Sequence, residues 1–263
     1  MLEGTIKRAP PFSQSPDAKV LKLLQENGWD RYGPLQNVLT ALFKLVALGV
    51  NTAVMAPTVV AAAVVDDRIA YRFCRQWARW NLLFFGVTVR AQRQTRLDPH
   101  RPYVFMSNHR SHLDVLAVMD ALADFELRWV AKKELTEVPL FGWALRQSGH
   151  IIVDRSNTAQ AIASLRAAKA QMAGGVSVII FPEGTRADDE QLGSFKKGGF
   201  MLALETDTPI VPIVVRGTRA LLPRNTWQIR AGVVDVVIGA PIPCTGVPRH
   251  ALMEQVAAFM VAA

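Results

Sequence analysis

His109 and Asp114 stand five residues apart in Ser107-Asn108-His109-Arg110-Ser111-His112-Leu113-Asp114, directly after the apolar run Tyr103 to Met106. A second polar motif, Phe181-Pro182-Glu183-Gly184-Thr185-Arg186, closes the apolar run Val176 to Phe181. A neutral imidazole near pH 7 is the usual general base, contributing about 10²–10⁴-fold to rate. A carboxylate beside it fixes the tautomer and stabilises the imidazolium. His109 is therefore the expected base and Asp114 its orienting acid. In the second motif the Gly184 N–H, the Thr185 hydroxyl and the planar fork of Arg186 suit a phosphate ester. Glu183 is expected to hold that turn or to anchor an arginine. Together the two motifs read as a base, its orienting carboxylate and an anion site.

The spacing constrains the elements that must present these groups. Five positions along a regular helix turn about 140° around its axis, so the two side chains cannot meet within one helix. His109 is expected in a loop or cap, with Asp114 on the first helical turn behind it, and Ser107, Asn108 and Ser111 suit an N-cap. Short apolar runs near 103–106, 128–131, 150–153, 176–181, 210–215 and 233–238 alternate with helical stretches near 114–123, 138–148, 158–173, 196–205 and 249–262. Such alternation predicts an α/β fold, its sheet largely parallel or mixed and flanked by helices. Residues just past the carboxyl ends of the strands would then line the ligand crevice. Lys196 and Lys197 open one helical stretch, where backbone N–H groups favour anions; a solvated basic face is the other reading of that pair. The polar stretch Gln92 to Arg96 suggests a boundary near 86–101. The expected organisation is a polar segment 1–34, a membrane-associated helical region 35–85 and a catalytic domain 86–263.

Asn108-His109 followed by Asp114, with Phe181 to Arg186 downstream, resembles the glycerolipid acyltransferases, best known as 1-acylglycerol-3-phosphate acyltransferases. Gly149 to Arg155, Phe195 to Gly199 and Val211 to Val215 fit the same pattern in order. The resemblance implies transfer of a fatty acyl chain from acyl-CoA or acyl-carrier protein to the free hydroxyl of lysophosphatidic acid, giving phosphatidic acid in phospholipid synthesis. It also implies that Arg155, Glu183, Gly184 and Arg186 form the glycerol phosphate site, to which the residues themselves add Thr185 and Lys196. Two positions depart from the pattern, Ile152 and Arg216, and both bear on the acceptor. The same machinery acting on another lysophospholipid, glycerol 3-phosphate or an aminoacyl lysolipid is the nearest alternative. A membrane-binding protein without catalysis is the alternative from another class. No serine elbow, phosphate-binding Gly-Lys-Ser/Thr loop or dinucleotide glycine pattern is present. Direct attack by the acceptor hydroxyl in a ternary complex is therefore expected. His109 and His112 form a His-x-x-His pair, but no carboxylate completes a ligand set, so neither metal nor cofactor is expected. His112 is expected to pack under the loop.

The 30 Lys and Arg against 22 Asp and Glu leave a net charge of +8, which suits anionic lipid or phosphorylated partners. No zinc-finger spacing or RNA-binding signature points to nucleic acid. Cys74 and Cys244 lie far apart and suggest a reducing compartment. The first 33 residues lack an apolar core of the signal-peptide kind. Residues 38–65 hold a single charge, Lys44, and exceed the length that a bilayer core of roughly 30 Å requires. Gly49, Asn51, Thr52 and Pro57 leave open a kinked span, a re-entrant pair of shorter helices or a buried core helix. From Asp66 to Phe85, arginines 68, 72, 75 and 79 run beside Ile69, Phe73, Trp77, Trp80 and Phe84, the pattern of a helix in a membrane interface. The arginine cluster after the apolar run predicts a catalytic domain on the cytoplasmic side.

Overall fold

The computed structural model describes residues 34–154, 158–186 and 192–263. The chain divides into Met1–Phe43 and a compact unit, Lys44–Ala263. Among the described residues the first helix, α1 (Pro34–Val65), runs uninterrupted with Pro57 inside it, so the segment forms one helix and not a pair of shorter ones. By length and composition its Val38–Val65 stretch can cross a membrane, with a mean hydropathy of 1.8 in a window only 22% buried. Within the compact unit it has two faces. Met55, Ala56, Val59 and Ala62 are buried, whereas Val46, Val50 and Val54 are more than half exposed.

Polar side chains bind α1 to the next helix, α2 (Asp67–Phe85). The Asn51 side-chain amide donates to the Trp77 carbonyl, and the Trp77 indole N–H to the Thr52 hydroxyl. Lys44 is 7% exposed; its ammonium donates to the carbonyls of Phe85 (2.9 Å) and Ile229 (2.8 Å). Asp66 caps α2 through the Arg68 and Ile69 N–H groups, as expected of an N-cap carboxylate. Gly86 ends it at φ +68°, where a Cβ would stand 2.9 Å from that of Ala231. Tyr71, Ala78, Leu82 and Phe85 face the core, while Ile69, Trp80, Leu83 and Phe84 are exposed. The basic stripe is shorter than the sequence suggested. Arg68, Arg72 and Arg79 are exposed, but Arg75 is half-buried with its guanidinium 5.8 Å from the centre of the Tyr71 ring.

Seven strands follow among the described residues: β1 (Val87–Arg93), β2 (Val104–Ser107), β3 (Leu127–Lys132), β4 (Ile151–Val153), β5 (Ser177–Ile180), β6 (Ile210–Arg216) and β7 (Gly232–Ile238). They form one sheet in the order β1-β7-β6-β2-β5-β3-β4. Every neighbouring pair is parallel except β6 with β7. The stretch near 86–101, where a boundary was expected, holds β1 in its first half. An edge strand leaves much of its surface in solvent, so Thr88, Arg90 and Gln92 between Val87, Val89 and Ala91 read as a polar link.

The remaining helices are α3 (Leu113–Ala121), α4 (Phe141–Gln147), α5 (Thr158–Ala173), α6 (Gly198–Glu205), the short α7 (Thr218–Leu221) and α8 (Arg249–Ala262); a 3₁₀ turn covers Lys133–Glu137. The pleat sorts the core residues. Phe105, Ile179, Ile213 and Val215 pack with α2 and α3, whereas Val104, Met106, Val178 and Val214 pack with α5, α6 and α8. The adjacent strands β2, β5 and β3 thus point their carboxyl ends the same way, toward one crevice.

Candidate active site

The backbone leaves β2 at Ser107, and the Asn108 side chain continues the strand's pairing. Its amide donates to the Val215 carbonyl at 2.9 Å, and its oxygen accepts from the Val215 N–H at 2.7 Å. This double bond to β6 fixes the point from which His109 projects. His112 then opens α3, so Asp114 lies on the first turn, as the five-residue spacing requires.

Asp114 is fully buried. Its Oδ2 lies 2.9 Å from His109 Nδ1 and accepts the N–H groups of Arg110 (2.6 Å) and Ser111 (2.8 Å). Its Oδ1 accepts the Thr218 hydroxyl at 2.5 Å. Because a carboxylate accepts at Nδ1, that nitrogen carries the ring proton and Nε2 keeps its lone pair. The Phe181 ring stacks on the imidazole at 3.9 Å between centres and 11° between planes. One edge and one face of the ring are thereby held, and Nε2 is left for chemistry.

Glu183 joins the two motifs from behind. Both its oxygens accept from Arg110 Nη1 (3.0 and 2.9 Å), Oε1 also from the His109 N–H (3.1 Å) and Oε2 from the Gly193 N–H (2.9 Å). The pair is deeply buried, with side-chain exposures of 11% and 3%. Substrate contact, expected of Glu183 by resemblance, gives way to anchoring an arginine, because every oxygen faces protein donors. Gly184 takes φ +76°, a left-handed turn that suits glycine, and brings Thr185 and Arg186 to the crevice.

A cavity of about 560 Å³ opens on these groups. His109, Gly184, Thr185 and Arg186 line it together with His112 and Lys132. Leu48, Met55, Val59, Trp77, Leu116, Met119 and Trp129 give it an apolar wall that extends to α1. His112 lines this space and is not packed under the loop. Desolvation, then the Arg186 guanidinium and His109, hold it below the usual imidazole range. Lys196 is exposed, precedes α6 and does not line the cavity; its backbone N–H supports the turn through the Pro182 carbonyl at 2.7 Å. Arg155 lies outside the described residues. Lys132 was missed by the sequence reading, because only the sheet brings this cation at the carboxyl end of β3 level with the other two motifs.

Residues 87–216 match the profile of the Acyltransferase family. This stretch is a domain of the acyltransferase family. The chain is 32% identical over 199 residues to a 1-acyl-sn-glycerol-3-phosphate acyltransferase of Chlamydomonas reinhardtii, covering 74% of this chain and 59% of that one. It is 33% identical over 163 residues to the human 1-acyl-sn-glycerol-3-phosphate acyltransferase alpha, covering 62% and 57%. A Limnanthes alba 1-acyl-sn-glycerol-3-phosphate acyltransferase is 40% identical over 140 residues, covering 53% and 50%. The chain thus spans half to three-fifths of the length of these curated relatives. The fold matches the crystal structure of the 1-acyl-sn-glycerophosphate acyltransferase PlsC from Thermotoga maritima with a TM-score of 0.73 at 23% identity, covering 86% of this chain and 95% of that one. The acyltransferase profile includes both polar motifs described above and the β2, β5 and β3 strands that carry the crevice.

Proposed function

We propose that this chain is an O-acyltransferase that moves a fatty acyl group from a thioester, of CoA or of acyl-carrier protein, to the free hydroxyl of lysophosphatidic acid. The product is phosphatidic acid. The observation that carries this reading is the His109–Asp114 pair at 2.9 Å, opening into a cavity that also holds Arg186 and Lys132. His109 Nε2 takes the hydroxyl proton as the acceptor oxygen attacks the thioester carbonyl carbon. The new C–O bond leaves an oxyanion, and its collapse breaks the C–S bond. The departing thiolate then takes the proton from the imidazolium, which Asp114 stabilises meanwhile.

Arg186 and Lys132 hold the acceptor phosphate, with the Gly184 turn and Thr185 beside them. The apolar wall takes the acyl tail, each buried methylene contributing about 0.8 kcal/mol. Membrane attachment follows from α1 and α2. With Lys44 satisfied by protein carbonyls and one face packed, α1 lies along the domain within one leaflet, its exposed valines toward lipid. Arg68, Arg72 and Arg79 suit the anionic cytoplasmic leaflet.

Release of thiol from acyl-CoA in the presence of lysophosphatidic acid tests the reading. His109→Ala should lower turnover by about 10²-fold or more with the thermal midpoint retained. Near-normal turnover in the folded variant removes His109 from the chemistry. A panel of lysolipids and glycerol 3-phosphate then identifies the acceptor.

A further inference from the structure

The membrane helices leave one surface unused. From Arg216 to Ala231 the chain carries four arginines (216, 219, 224 and 230) and no acidic residue, and all four arginines are exposed. In their midst Trp227 is 76% exposed, about twice the 38% of Trp80 on α2.

Its position is telling. Arg224, Thr226 and Trp227 sit on the rim of the cavity into which His109 opens, and Leu45 and Leu48 of α1 line the same cavity. The Ile229 carbonyl accepts the Lys44 ammonium at 2.8 Å, so the loop and α1 are fastened side by side. Val46 and Val50, which the helix turn places roughly opposite Lys44, are 55% and 59% exposed. Leu45 and Leu48 of α1 and the indole of the loop therefore line one opening, with the apolar outer face of the helix turned away from the loop.

We propose that residues 222–231 form a second membrane-contacting element, in which Trp227 inserts at headgroup level and Arg224 and Arg230 meet anionic phosphates. The inference rests on the membrane reading given above and extends it to the loop between α7 and β7. Tryptophan favours the bilayer interface because its ring is apolar and its N–H is wet. Basic residues beside an anionic leaflet each raise partition by about fivefold at low salt. The cavity opening then faces the leaflet between α1 and the loop, and a lysolipid reaches His109 sideways without leaving the membrane surface. An acidic carrier protein, the competing partner for such arginines, is matched by charge but gives no role to an exposed indole.

The test uses the full chain and phosphatidylcholine vesicles with and without a third of phosphatidylglycerol. The wild type should sediment with the anionic vesicles. Trp227→Ala should lower partition by about tenfold at every salt concentration, the value of one aromatic side chain. Arg224→Gln combined with Arg230→Gln should lower it by about 25-fold at low salt and little at high salt, where screening is short-ranged. Bromine-labelled lipid should quench wild-type emission more than that of Trp227→Phe, a readout that survives any loss of binding in the alanine variant. If the wild type sediments, Trp227→Ala sediments equally and no extra quenching appears, the loop proposal is overturned and the helix reading stands. A wild type that stays in solution overturns both. Unchanged vesicle binding with weakened use of acyl-carrier-protein donor reassigns the arginines to that carrier and also overturns the proposal.

Discussion

The Thr218 hydroxyl donates to Asp114 Oδ1 at 2.5 Å, across 104 residues of sequence. Without it, one oxygen of a fully buried carboxylate would have no donor, an arrangement that costs about 1–3 kcal/mol. The short helix α7 therefore acts as a backstop for the carboxylate that orients the proposed base. Thr218→Val should lower kcat by about tenfold while leaving the acceptor KM near its wild-type value. Thr218→Ser should restore the turnover. A valine variant with wild-type kcat removes Thr218 from any positioning role.

Glu183 is the common acceptor for Arg110, the His109 N–H and the Gly193 N–H. Glu183→Gln keeps the shape but removes the negative charge of the buried Arg110–Glu183 pair. Breaking such a pair from one side costs about 3–5 kcal/mol. Chemical denaturation should register a loss on that scale, together with reduced turnover. A variant as stable as the wild type would show that Arg110 finds another acceptor.

Arg186 and Lys132 line one cavity from two strands. Arg186→Lys keeps the charge and loses the planar fork, so it should raise the acceptor KM by about tenfold or more with a smaller change in kcat. Lys132→Met should act in the same direction. If either loss appears only in the KM for acyl-CoA, that cation belongs to the donor.

His150 accepts the Trp129 N–H at Nδ1, and burial, aided by the Arg128 charge, pulls its pKa down to about 3. The unfolded chain takes up a proton near pH 6.5 that the folded chain refuses until about pH 3. Its contribution to stability is thus complete above the unfolded value and drains away as pH falls from 6.5 toward 3. At pH 4.5 the loss from this residue is about 2–3 kcal/mol. Denaturation curves of His150→Asn, whose side-chain oxygen can replace Nδ1 as acceptor, should be correspondingly flatter over that range. Identical slopes for the two proteins would refute the assignment.

Much of the architecture was readable because apolar runs of four to seven residues mark buried parallel strands. Val104 to Ser107 and Ile210 to Val215 are buried throughout, and both lie near expected runs. The five-residue gap between His109 and Asp114 located the turn into α3. What escaped was either solvated or remote. β1 was read as a link because its outward positions are polar. Thr218 and Lys132 carry no local pattern, and their relation to the site exists only after β6 and β3 take their places in the sheet. Glu183 illustrates an intermediate case: its type announced a functional motif, but only the packing of Arg110 beneath it decided that the carboxylate braces the loop.

The Phe181 ring on the face of His109 bears on how the barrier is composed. The imidazole proposed as the base, already held by Asp114 and a flat aromatic surface, loses little rotational entropy when substrates arrive. Its dipole is preorganised, so reorganisation contributes little to activation. Leucine at 181 would fill space but let the imidazole rock. The consequence would appear in an Eyring plot of single turnovers, where the smaller side chain makes the activation entropy more negative even if the histidine, its acid and both substrates are unchanged.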